Sequence, residues 1–421
     1  MTIDIEVLSK ESIKPSSPTP EHLRHYQLSF IDQVSPQFFM PWVLFYPKDA
    51  NFNLNNQEKR EKIKKSLSEA LTRFYQLAGR VKDDGPYVEC NDNGVPYVEA
   101  VAQCELSEFL ENPNLSEHNK FLPYQLADVN DLLAAVQVTS FNCGGIVIGL
   151  EISHKVADAS SFFLFLNSWA ATARGDSNIL SPCLDAATIF PPATHLPAFN
   201  PHMGMSKNKT VLKRIVFDSS AVDTIRAKYS SSNKDIEYPR PTRVEALSSF
   251  IYSRYIAVTD QTEANPNKVY TIILAVDLRR RLDPPVQQNC FGNLSQPTNF
   301  AVSNNTEDGF SGMVLPMRNA INKVNMDCSI ENAEKLNRGE VVPMVFTSLC
   351  RFPIYVADFG WGKPVWVGST KLLYHNIVTF IDTKSGDGVE AWICLKEEDM
   401  VKFEMDKEVL TYVSLAKSCV F

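Results

Sequence analysis

The chain has 421 residues, 44% of them hydrophobic and 21% charged, an ordinary globular balance with length for two or three domains of roughly 150 residues each. A formal charge of −8 argues against a general nucleic-acid binder, because phosphate neutralisation needs a basic field, and leaves room only for a local basic patch on a phosphorylated small molecule. The nine cysteines form no C-x-x-C pair, no stretch reaches the roughly 18 apolar residues of a membrane span, and the opening MTIDIE carries two acids, so a cytoplasmic protein with reduced thiols, no metal site and no membrane attachment is expected.

In chain order, Lys14–Pro20 (KPSSPTP) predicts an extended entry segment. Residues 57–78 predict a helix: Ile63, Leu67, Ala70, Leu71, Phe74, Leu77 and Ala78 share one stripe, and Gly79 ends it. The stretch YVECNDNGVPYVEA (87–100) predicts a hairpin turning near Asn93-Gly94. Two further strands, Leu132–Phe141 and Ile146–Ser153, flank a turn at Asn142–Gly145. A helix follows from about Asp158, with Phe162, Phe163, Leu166, Trp169, Ala170 and Ala173 facing inward and Gly175 closing it. Residues 181–210 hold five prolines and little periodicity and read as a linker. A strand at Val211–Phe217, a helix near 242–256, a strand at Val269–Val276, several strands within 344–395 and a charged helix over 396–413 complete the pattern. Helices and strands mix without clean βαβ alternation, which disfavours a Rossmann fold.

The segment from Ile152 to Asp158 carries the most chemistry. A strand delivers His154 to the point where the chain turns into a helix, a rigid mount for an imidazole that takes up and returns protons near neutral pH. The other histidines (His22, His25, His118, His195, His202 and His375) read as structural. Asp158, four residues on, admits two roles. It either orients the imidazole as in a dyad, or caps the helix and seeks a buried arginine among Arg279, Arg280 and Arg281. The structural role is preferred. In Asp358-Phe359-Gly360-Trp361-Gly362 two glycines around a tryptophan predict a sharp turn anchored by Asp358 rather than a catalytic acid. The G-x-S-x-G, H-E-x-x-H and Walker A patterns are all missing, so serine hydrolases, zinc peptidases and nucleotide hydrolases lack their usual carriers.

Eight blocks in order resemble the plant BAHD acyltransferases: LSEALTRFYQLAGR (67–80), NDNGVPYVEA (91–100), SHKVAD (153–158), TRVEALSSFIY (242–252), VDLRRRLDPP (276–285), FGN (291–293), DFGWGKP (358–364) and SGDGVEAW (385–392). The proline-rich opening and the length resemble the branch that acylates alkaloid alcohols and other specialised metabolites. Gln76 departs from the family, which usually has proline there. The resemblance implies an α/β fold of two chloramphenicol-acetyltransferase-like domains with mixed sheets, 1–190 and 211–421, joined by a crossover at 191–210, with the active-site channel between them. It implies a monomer that uses acyl-CoA, acetyl-CoA in the first instance, as co-substrate and a small-molecule alcohol as acceptor, with no permanently bound cofactor. His154 would be the general base, Asp158 would pair with Arg279, and Asp358, Gly360, Trp361 and Gly362 would support the site structurally. Thr242 and Arg243 would contact CoA, Ser35–Trp42 would line the acceptor pocket, and strand residues after Pro364 would join the first domain's sheet. N-acylation of an amine, hydrolysis, and a catalytically silent ligand-binding relative are the competing readings.

Overall fold

The computed structural model describes residues 2–48, 54–82, 85–124, 131–194, 209–230, 240–259, 269–301, 312–324, 341–370 and 374–413. Most of the expected crossover (195–208), together with His195, His202, Cys328 and Cys419, lies outside the described residues.

The first half opens with β1 (Ile5–Ile13), β2 (His25–Gln27), a short helix α1 (Phe30–Val34) and β3 (Phe39–Tyr46). Helix α2 (Asn56–Arg73) is capped by Asn55 and ends five residues before the predicted limit, where Tyr75–Ala78 tightens into a 3-10 turn that buries Gln76. β4 (Arg80–Val81), β5 (Tyr87–Glu89), β6 (Val95–Ala102), α3 (Leu106–Glu111), β7 (Ala134–Phe141), β8 (Ile146–Ser153) and α4 (Ala159–Arg174) follow. The expected hairpin over 87–100 does not form. β5 pairs with β2 and β4, whereas β6 pairs with β1 and β7. The turn chemistry is real, since Asp92 and Gly94 both have positive φ. Asp92, however, spends its carboxylate on Thr19 and Arg24, and the turn redirects the chain between two sheets.

β7 and β8 pair antiparallel, and every residue in both is buried. Both strands alternate apolar with polar or small residues, yet the sheet is covered on both faces, so Gln137 and Thr139 of β7 and Glu151 and Ser153 of β8 are buried as well. The first sheet runs β1-β6-β7-β8-β3 and is completed by β13 (Trp366–Gly368), which arrives from the far end of the chain and lies antiparallel on β3. Pro41 sits inside β3, where its carbonyl accepts from Ser369 Oγ at 3.1 Å just past the end of β13. A strand residue's N–H and C=O share one edge, so the missing donor falls where no ladder partner needs it.

Residues 181–194 are not a bare linker. Helix α5 (Ala186–Ile189) lies within them, and Ala186 and Phe190 are buried with Ile31, Leu278, Cys290 and Leu294. The second half contains β9 (Thr210–Phe217), α6 (Ser219–Lys228), α7 (Arg243–Thr259), β10 (Val269–Asp277), β11 (Ser295–Ala301), α8 (Val314–Asn322), β12 (Val341–Ser348), β14 (Ile377–Asp382) and β15 (Val389–Lys396). The charged C-terminal stretch is two helices, α9 (Glu397–Glu404) and α10 (Lys407–Tyr412), because Asp406 caps the second by accepting from Val409 N–H. The second sheet is mixed, in the order β11-β10-β12-β14-β15-β9. No helix among the described residues is long and apolar enough to cross a membrane.

Where β13 docks, the two halves share an aromatic seam. His118 is fully buried against Phe45, Phe109, Trp366 and Trp392, and its Nδ1 lies 3.0 Å from Ser369 O. Arg214 of β9 lies over Trp366 and forks onto Glu390 at 2.6 and 2.7 Å. Burial, followed by the nearby Arg214 charge, pulls His118 down to about 4 despite the Ser369 contact.

Candidate active site

β8 ends at Ser153, opposite Phe39 of β3, and His154 N–H donates to Phe38 O at 2.8 Å. The half-buried His154 ring thus starts from a backbone pinned on one side by the buried sheet. Phe38 packs its ring edgewise on the imidazole at 5.4 Å and on Tyr374 at 5.5 Å. Lys155 Nζ holds the same wall by donating to Gln33 O at 2.7 Å and Ser35 O at 3.4 Å.

Behind the imidazole, Nδ1 lies 3.1 Å from Asn293 Oδ1. The orientation of that amide is settled by its other end: Nδ2 donates to Asp32 Oδ1 at 2.9 Å and to His154 O at 2.8 Å. With the amide nitrogen facing two acceptors, its oxygen faces the ring, so Nδ1 carries the hydrogen and Nε2 keeps the free lone pair. Asp32 is fully buried in α1 and accepts also from Asn293 N, Ser29 N and Ser29 Oγ. Burial pushes its carboxyl above the ordinary range, and these donors oppose that rise. Neither Asn293 nor Asp32 stood out in the sequence. Asn293 showed only as the end of the FGN block, and it is buried at 1% exposure.

Asp158 faces away from this chain. It caps α4 by accepting from Ser161 N–H at 3.0 Å, takes Leu294 N–H at 3.0 Å, and meets Arg279 in a fork of 2.8 and 3.0 Å. Arg279 is fully buried and also donates to Asp277 Oδ1 and Cys290 O. Burial raises the Asp158 carboxyl, but Arg279 and the backbone donors outweigh it and hold the group below the usual range. Both contact sets reach across the halves: Asn293 and Arg279 lie in the second, His154 and Asp158 in the first.

The Asp358 loop sits elsewhere. Asp358 Oδ1 accepts from Gly360 N–H at 2.7 Å and Gly362 N–H at 3.0 Å, closing a turn in which both glycines have positive φ near 100°. Trp361 is buried beside Phe359 and Tyr46, with the Lys59 and Lys62 ammoniums of α2 over its ring. Ala357 O accepts from Tyr46 Oη and Asp358 O from Arg174, so the loop fastens the run-up to β13 onto α2, β3 and α4. Thr242 and Arg243 open α7. Thr242 forms a reciprocal cap with Glu245, and Arg243 pairs with Asp382 at 2.8 Å. Neither hydrogen-bonds to His154. His22 and His25 are exposed rather than core residues.

The family model described as the Transferase family matches residues 3–410. The chain is a BAHD acyltransferase. Stemmadenine O-acetyltransferase of Catharanthus roseus is 37% identical to this acyltransferase, over 96% of this chain and 97% of that one. Vinorine synthase of Rauvolfia serpentina is 36% identical over 96% and 97%. The crystal structure of vinorine synthase superposes with a TM-score of 0.85 at 33% identity, covering 99% of this chain and 100% of that one. TRI101 of F. graminearum, solved with coenzyme A and deoxynivalenol, shares the fold at a TM-score of 0.69 and 16% identity, over 93% and 99%. The BAHD acyltransferase therefore has the α/β fold expected from its sequence, with mixed sheets in two halves.

Proposed function

We propose that this BAHD acyltransferase moves an acyl group, acetyl in the first instance, from CoA to a hydroxyl of a plant specialised metabolite such as an alkaloid, with His154 as general base. The observation that carries the reading is the 3.1 Å contact of His154 Nδ1 with Asn293 Oδ1, which leaves Nε2 free to accept. The acceptor hydroxyl gives its proton to Nε2 as its oxygen attacks the thioester carbonyl. The tetrahedral intermediate collapses, the C–S bond breaks, and the departing CoA thiolate takes the proton from His154. Positioning contributes as much as the base, since both reactants must meet within the channel proposed between the halves 1–190 and 211–421. Phe38 and the wall pinned by Lys155 would meet the acceptor. CoA would enter from the second half, where Arg243 binds phosphate once its pair with Asp382 parts. Coenzyme A in the TRI101 structures and the O-acetyltransferase relatives support the donor and the hydroxyl acceptor. The enzyme would work as a cytoplasmic monomer.

The test incubates purified protein with a panel of acyl-CoAs and plant alcohols, following CoA release and product mass. CoA release that depends on an alcohol and vanishes in His154→Ala is the expected result. Equal release without alcohol would mean hydrolysis. Product formed only on amines would mean N-acylation, and no release with any pair would leave a binding protein.

A further inference from the structure

Two thiols outside the proposed chemistry meet where the segment ahead of the crossover docks. Cys183 and Cys290 stand opposite each other in an isolated parallel bridge. Cys183 N–H donates to Asn289 O at 2.9 Å and Phe291 N–H to Cys183 O at 2.8 Å, so the register is fixed on both sides. Adjacent strands run about 4.7–4.9 Å apart, inside the window of about 4.4–6.8 Å between Cα atoms that a disulfide accepts. Both cysteines are free. Cys290 is fully buried, and burial followed by the facing Cys183 thiol pushes it up to about 12. Cys183 is half-buried and reaches Asp185 Oδ2 with its Sγ at 3.3 Å.

We propose that Cys183 and Cys290 form a two-electron oxidation site that closes to a disulfide when hydrogen peroxide reaches it. Cys183, the accessible partner, reacts first: an S–O bond forms, the peroxide O–O bond breaks, and one water leaves, giving a sulfenic acid. The Cys290 sulfur, losing its proton to solvent, then attacks the Cys183 sulfur. The S–S bond forms, the S–O bond breaks, and the hydroxide released takes up a proton. Two thiols and one peroxide become one disulfide and two waters. The buried Cys290 thiol makes the second step slow at neutral pH and faster as pH rises. The bond would have structural reach. The Cys183 segment continues to Phe190 O and Ala193, which hold Phe30 and Gln33 of α1. The Cys290 segment continues to Asn293, which holds His154.

The test treats full-length protein with hydrogen peroxide at neutral and mildly alkaline pH, blocks remaining thiols with an alkylating reagent, and maps peptides by mass spectrometry without reduction. The expected result is a peptide pair joined through Cys183 and Cys290, formed faster at the higher pH and released by dithiothreitol. Cys183→Ser, a change at a half-buried position, should abolish it. The proposal is overturned if Cys183 proceeds to sulfinic or sulfonic acid while Cys290 stays an intact thiol, or if Cys183 couples to another cysteine such as Cys328 or Cys419.

Discussion

Replacing His154 with alanine removes Nε2 while sparing the buried strand that delivers it. Turnover should fall at least about 100-fold with the fold intact, the worth of a positioned base. A folded variant with near wild-type turnover would end the assignment. Asn293→Ala touches no substrate in the proposed mechanism; it removes the two bonds that Nδ2 gives to Asp32 Oδ1 and His154 O, and with them the hydrogen bond behind the ring that orients the base. At about 0.5–1.5 kcal/mol for a neutral bond, kcat should drop about two- to tenfold. KM for acyl-CoA should stay unchanged, since the lost contact orients the base rather than the donor. Steady-state kinetics separate the two quantities, and a raised KM with intact kcat would place Asn293 in substrate binding instead. His154 was legible because a strand-to-helix turn is local. Asn293 and Asp32 were not: they reach His154 and each other across 139 and 261 positions, and no spacing rule encodes such a contact.

The ion pair of Asp158 and Arg279 joins the start of α4 to the second half, so its loss belongs to the elements it ties. Asp158→Asn leaves the buried guanidinium with only the partly exposed Asp277 as counter-charge and should cost about 3–5 kcal/mol in denaturant melts. Because the folded carboxyl is held below the ordinary 3.8, its contribution is complete above that pH and drains away as pH falls through the lower folded value. Wild type and variant should therefore converge in acid. Unchanged stability with selective loss of turnover would point to a dyad instead. Elements announced by a local pattern were readable: the stripe of α2, the β7–β8 pair around its turn, and α4 between Asp158 and Gly175. β3 was hidden by Pro41, and the false hairpin at 87–100 arose because turn residues announce a turn without naming the strands it joins. The glycine-flanked Trp361 announced its loop for the same local reason, but not the helices beneath it.

At the scale of the molecule, the His118 seam makes the union of the halves sensitive to acid. The folded state holds His118 neutral down to about pH 4, whereas the unfolded chain protonates it near 6.5. Stability contributed by the neutral ring is complete above 6.5 and is lost as pH falls from there toward 4. Arg214, Glu390 and the surrounding rings leave no solvent to receive the extra charge. His118→Phe should flatten this limb in melting curves taken across that range, and an unchanged slope would remove His118 from the account. The halves should likewise fail alone. A 1–190 fragment lacks Arg279, Asn293 and β13, and is expected to release no CoA until 211–421 is supplied. Full activity in the isolated fragment would refute the shared site.

The placement of β13 also sets a schedule for the ribosome. Its three residues close the edge of a sheet whose other five strands are finished by Ser153. More than two hundred codons separate those events. At about 5–20 residues per second, the nascent chain spends on the order of ten to forty seconds with an apolar strand edge open. Such an edge is a template for pairing with neighbouring chains. Yield in a cell should then depend less on final stability than on how that interval is chaperoned. Slower growth temperatures or co-expressed holdases should raise soluble protein more than stabilising substitutions in the second half.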